Sequence, residues 1–172
     1  GGSSGDYLYG VVGTPDGNYM LGGYNASVDG DSPERIGSYD YWLLKIDDTG
    51  NIIFSKVVGS TYNEPLYDIE ASADGYILGG NSIPAYGKSY SDSYSVDQEG
   101  NVISFVRMNT SRDKLNAVIE SNGSYYFGGY FTYGETGLTS YLRKYSMDES
   151  GTMTLEWFKE KSTAYLDTMV YT

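Results

Sequence analysis

The sequence predicts an all-β protein: a β-propeller-like array of three four-stranded antiparallel blades followed by the first strand of a fourth. Three observations predict it. A unit of about 50 residues recurs along the 172-residue chain. Each copy sets a short Asp-Gly or Asn-Gly turn just ahead of a doubled glycine. No stretch of helix length keeps a helical spacing of apolar residues.

The first strand of each unit carries a leucine with an apolar residue three positions on: Leu8 with Val11, Leu66 with Ile69, Leu115 with Val118, and Leu166 with Met169. That spacing suits a helix as well as a strand, and the turn that follows decides for the strand. The turns are Pro15-Asp16-Gly17-Asn18, Ala73-Asp74-Gly75 and Ser121-Asn122-Gly123, in which glycine accepts positive φ. The second strands follow at once as Tyr19–Gly23, Tyr76–Gly80 and Tyr125–Gly129, each ending on two glycines. A doubled glycine at one place in every copy predicts close approach between neighbouring units, or a bulge.

The third strands are Asp40–Asp47, Tyr90–Asp97 and Ser140–Tyr145. A second set of turns closes them: Asp47-Asp48-Thr49-Gly50-Asn51, Asp97-Gln98-Glu99-Gly100-Asn101 and Asp148-Glu149-Ser150-Gly151. The fourth strands are Ile52–Val57, Val102–Arg107 and Met153–Lys159. The units therefore span 1–58, 59–108 and 109–160, and 161–172 supplies the first strand of a fourth. One such sheet cannot bury both of its faces, so neighbours are expected to stack and share stability. The opening Gly1-Gly2-Ser3-Ser4-Gly5 aligns with Val58–Tyr62 and reads as inter-unit loop, so the chain is expected to be a piece of something longer.

The run Gly1–Tyr7, Asp16–Tyr24 and Tyr39–Ile52 resembles the β-propeller-type repeats of secreted surface proteins common in Bacteroidota and their relatives. The likeness covers nearly the whole chain and is tightest in the first unit. It implies a non-enzymatic extracellular module at the cell surface, within a long multi-repeat protein. Closed propellers have four to eight blades, so this chain falls short. It is expected to join other copies of itself in a fibre, a ring or a larger propeller, with the strand Ala164–Tyr171 as a template for pairing.

Composition narrows the chemistry. The chain has no Cys and no His, which removes thiol nucleophiles, disulfides, Cys/His zinc sites and His-based triads. A net charge of −12 with 11 Lys+Arg repels a nucleic acid or an anionic membrane surface. No run approaches the ~20 apolar residues of a membrane-spanning helix. The 20 Tyr against 5 Phe and 2 Trp favour strands with half-wet faces.

Several side chains are candidate sites, each with a plainer reading beside it. Asn25, Asn109 and Asn122 begin Asn-x-Ser/Thr sequons and are candidate glycosylation sites; the plainer reading is ordinary turn chemistry. Asp167-Thr168-Met169 also matches a short bacterial O-glycosylation pattern. Asp29, Asp31 and Asp40, with Glu34 nearby, carry the oxygen ligands a structural calcium needs, although a closing Glu at fixed spacing is missing; solvated loop acids are the alternative. The pairs Asp47-Asp48 and Asp148-Glu149 sit beside turn glycines, as turn formers rather than glycosidase carboxylates. Tyr24, Tyr39, Tyr62, Tyr86, Tyr90, Tyr130 and Tyr133 lie near strand ends, where they would stack on glycans or pack between units. The leading expectation is a structural or adhesive protein that assembles. A carbohydrate-binding module is the alternative, and a recognition propeller attached to an enzyme the third.

Overall fold

Turn chemistry sets the strand boundaries. Asp47 accepts hydrogen bonds from the backbone N–H of Thr49 and Asn51 at 2.9 and 2.8 Å. Asp97 does the same for Glu99 and Asn101, and Asp148 for Ser150 and Thr152. Each aspartate thus closes a hairpin whose glycine takes positive φ, as Gly50 does at 88°. The Asn122-Gly123 pair has φ of 53° and 70° at both central positions, the geometry that matches the right-handed twist of the flanking strands.

The computed structural model describes residues 1–32, 35–84, 88–108, 112–133 and 137–162. Among them it shows twelve strands and no helix. The first sheet holds β1 (Tyr7–Gly13), β2 (Tyr19–Asn25), β3 (Asp40–Ile46) and β4 (Ile52–Val58). The second holds β5 (Leu66–Ser72), β6 (Gly75–Ser82), β7 (Tyr90–Asp97) and β8 (Val102–Met108). The third holds β9 (Asp113–Ser121), β10 (Ser124–Tyr133), β11 (Gly137–Met147) and β12 (Met153–Ser162). Every pairing between these strands is antiparallel and joins neighbours in chain order. The expected all-β class, the three four-stranded sheets and their order are all present. Strand β12 runs two residues past the expected unit boundary, pairing Lys161 with Ser140 and Ser162 with Thr139. The expected fourth-unit strand, Ala164–Tyr171, lies outside the described residues.

The leucine spacing of three has a cause that the pattern alone does not reveal. In a regular strand, residues three apart face opposite sides. Here Leu8 pairs with Gly23 and Gly10 with Gly22, leaving Tyr9 unpaired in a β-bulge. Tyr67 is the extra residue between Leu66 and Asp68, and Asn116 that between Leu115 and Ala117. The inserted residue returns the leucine and the later aliphatic side chain to one face.

The two glycines of each pair serve different purposes. A Cβ on Gly22 would press on Leu66 and Ile69 of the next sheet at 3.0 to 3.1 Å, and one on Gly79 would strike Val118 and Leu115. The first glycine is therefore a socket for the next unit's first strand. A Cβ on Gly23, Gly80 or Gly129 would land on the carbonyl of Tyr7, Pro65 or Lys114, in the same sheet's bulged strand. The second glycine makes room for the backbone ahead of the bulge and, at Gly80 and Gly129, for the hydroxyls of Tyr41 and Tyr141.

These contacts build two cores, one per sheet–sheet interface. Met20, Tyr41, Leu43, Leu66, Ile69, Tyr76, Leu78 and Val96 fill the first. Ile77, Leu115, Val118, Tyr125, Phe127, Tyr141 and Tyr145 fill the second. Polar ties cross both: the Tyr41 hydroxyl donates to the Asp92 carbonyl at 2.9 Å, and the Val118 N–H donates to Asp68 at 2.8 Å.

Candidate functional site

The two rims of the stack differ. Six tight turns cap one rim. The other, where odd-numbered strands begin and even-numbered strands end, carries the long connections. Among the described residues, the candidate acids Asp29, Asp31 and Asp40 and the candidate tyrosines lie toward this second rim, as loop function on a rigid scaffold requires.

Acids placed two residues ahead of each keying leucine anchor the loops. Asp6 accepts from the N–H of Gly2, Ala26 and Ser27 and from the Ser27 hydroxyl at 2.7 to 3.1 Å. Glu64 is buried; its own N–H donates to the Tyr39 carbonyl at 2.8 Å, and its carboxylate accepts from the Ser60 N–H. Asp113 donates its N–H to the Ser89 carbonyl and pairs with Arg143 at 2.9 Å, both side chains being buried. The position repeats as Asp, Glu and Asp, and this signal was open to sequence reading but not picked out.

Arg107 organises the middle of the rim. Its Nε and Nη2 hold Asp92 at 3.0 and 2.7 Å, and Nη2 also donates to Ser82 at 2.9 Å. The rings of Tyr62, Tyr90 and Phe105 surround the guanidinium at 5.4 to 5.8 Å. Two expected glycan-stacking aromatics, Tyr62 and Tyr90, thus face a half-buried arginine whose carboxylate partner is buried.

Tyr24 and Tyr39 do come together, and with rings the sequence did not single out. Tyr24 lies 5.0 Å from Tyr7, 5.8 Å from Tyr9 and 5.6 Å from Tyr39. Tyr9 meets Tyr67 edge-on at 5.6 Å across the sheet boundary. Both are bulge residues, and the bulge turns their side chains out along the rim. At one end of this row, Ser4, Tyr7, Tyr24, Arg35, Ser38 and Tyr39 line a groove of about 400 Å³. At the other, Lys88, Arg112, Lys114, Tyr130, Thr132 and Leu138 line one of about 570 Å³. Lys114 Nζ sits 5.9 Å over the Tyr67 ring, joining the second groove to the row.

The remaining candidates are dispersed. Asn25 is fully buried and donates to the Ser27 carbonyl and Ser32 hydroxyl at 3.3 and 2.5 Å. Asn122 is exposed in its hairpin turn. Asn109, Tyr86 and Glu34 lie outside the described residues, and Tyr133 closes β10. Asp29 accepts from the Ser3 N–H, Asp31 pairs with the Gly1 amino group, and buried Asp40 accepts from the N–H of Ile36 and Gly37. Each carboxylate is held separately, and among the described residues no three Asp or Glu side chains converge on a metal-sized site.

The outer faces of the stack are the other notable surfaces. On the first sheet Leu8, Val11 and Ile53 are 44%, 63% and 50% exposed. On the third, Ile119, Leu138 and Leu142 are 50%, 40% and 42% exposed around Gly128. Compared with protein-family models and with curated proteins, the chain matches none.

Proposed function

We propose that the chain is a non-enzymatic segment of a β-propeller-type array at the cell surface, and that it works by joining its end faces to further copies of its own unit. The observation that carries this reading is the repeated socket and key. Gly22 receives Leu66 and Ile69, and Gly79 receives Leu115 and Val118. Gly128 is the third socket, and among the described residues a Cβ there would meet only the Ala117 Cβ, at 3.9 Å. The matching key, Leu8 with Val11, stands exposed on the opposite end. Exposed apolar faces of this kind mark association surfaces. A surface that carries its own complement on the far side adds copies head to tail.

Sedimentation velocity over a concentration series tests it. The wild type is expected to form reversible oligomers, more strongly at high salt because like charge is then screened. Gly128→Val fills the socket without touching the sheet's interior, and Val11→Asp spoils the key. Each is expected to weaken association about tenfold or more while leaving the melting temperature of the protomer near wild type. A wild type that stays monomeric throughout overturns the proposal, as do variants that associate unchanged.

A further inference from the structure

The row of tyrosines and the groove at its end run along the rim, outside the two cores that fill the sheet–sheet interfaces. We propose that this rim binds an acidic polysaccharide, the tyrosine rings stacking on sugar faces while Lys88 and Lys114 pair with carboxylates along the chain. The inference concerns the rim alone, so it stands or falls separately from assembly through the end faces.

Charge placement comes first. The protein carries a net charge of −12 and only 11 Lys+Arg, yet three of those cations line a single groove. Lys88 arrives on the connection before β7, Arg112 on that before β9, and Lys114 at the start of β9. All three are exposed. Asp113, between Arg112 and Lys114 in sequence, is buried and pairs with Arg143. Among the described residues the groove is lined by cations and by no acid, and it attracts an anion only at short range because of screening.

Aromatic placement selects the kind of anion. A phosphate or a lone carboxylate needs cations alone. Here the cations continue into a ring row through Lys114 over Tyr67, then Tyr9, Tyr24 and Tyr39. Tyr7, Tyr9 and Tyr39 are 51%, 51% and 41% exposed, so their rings are available to a ligand. Flat aromatic surface beside hydroxyl and amide donors suits the C–H faces of pyranose rings. The groove at the other end of the row adds Ser4, Ser38 and Arg35. A nucleic acid also stacks on rings, but its dense charge meets repulsion from the rest of the molecule. Sparse charge on an extended sugar chain fits both halves of the rim.

The probe is hexagalacturonate, with its fully methyl-esterified form as the uncharged control, titrated into the full chain in a calorimeter. Saturable binding is expected for the acid and at least about fivefold weaker binding for the ester. The pair Lys88→Gln and Lys114→Gln should weaken the acid about five- to tenfold, a loss matched to two exposed charge contacts. Tyr9→Ala should weaken acid and ester alike. Melting temperatures report that each variant is folded. No heat with hexagalacturonate at millimolar concentration overturns the inference. Equal binding of acid and ester, or of wild type and the lysine variant, overturns the role of the cations.

Discussion

Glu64 carries the least satisfied carboxylate on the rim. Burial pushes it above its ordinary 4.5, against the Ser60 hydrogen bond that lowers it, and Asp92 and Asp40 add like charge. Its Oε1 has no hydrogen-bond partner among the described residues. Asp6, at the same repeat position, shows the opposite balance: burial pushes it up, but donors from Gly2, Ser27 and Ala26 outweigh this and hold it below the usual range. A carboxyl raised in the folded state contributes stability below its unfolded value of about 4.5 and loses that contribution as pH rises through its folded value. At neutral pH the ionised Glu64 therefore costs stability. Glu64→Gln is expected to stabilise the protein by about 1 kcal/mol at pH 7 and to make little difference near pH 4. At pH 4 the turn aspartate Asp47 is still ionised, because its bonds from Asn51 and Thr49 hold it at about 2. Thermal melts of both proteins at the two pH values check this; equal gain at both would show that charge is not the cause.

The bulged first strand and its facing glycine form one device, and they couple energetically. Hairpin turns were legible in the sequence because they depend on local backbone chemistry, Asp-Gly and Asn-Gly at fixed places, and the doubled glycines because they recur in every copy. The bulge was not legible, because a spacing of three reads as a helix until a partner strand supplies the register. Leu66 and Ile69 show the ambiguity: only the unpaired Tyr67 between them, seen against Gly80 and Gly79, explains how both enter one core. Gly80→Ala alone should cost about 3 kcal/mol or more, since the new methyl meets both the Pro65 carbonyl and the Tyr41 hydroxyl. Deleting Tyr67 regularises the strand and leaves Leu66 and Ile69 two apart, still on one face. In that background the contact with Pro65 is relieved while that with Tyr41 stays, so Gly80→Ala should cost less. A double-mutant cycle by urea unfolding measures the coupling, expected to exceed about 1 kcal/mol. Additive losses would mean that the glycine and the bulge are independent.

At the scale of the whole molecule, averages conceal what folding assembles. The overall charge predicts repulsion of nucleic acids, but it gave no sign that Lys88, Arg112 and Lys114 would share a groove, since the connections and strand that bring them together are separate in sequence. In the same way, tyrosine content announced half-wet strands without showing that Tyr9 and Tyr67 meet across two sheets. The stack behaves as a short linear array in which each sheet leans only on its neighbours. The middle sheet has two such neighbours: β6 is buried along its entire length, and β7 is buried except at its two ends. The first and third sheets each turn one face outward, as the exposure of Val11 and Leu142 shows. Amide hydrogen exchange at low protein concentration should therefore be slowest in β6 and β7 and fastest in the edge strands β4 and β12. Raising the concentration should slow exchange in β1 and β10, the strands that carry the end-face key and socket, and leave β6 unchanged. Equal protection across all three sheets at low concentration would show one all-or-none unit in place of an array of coupled sheets.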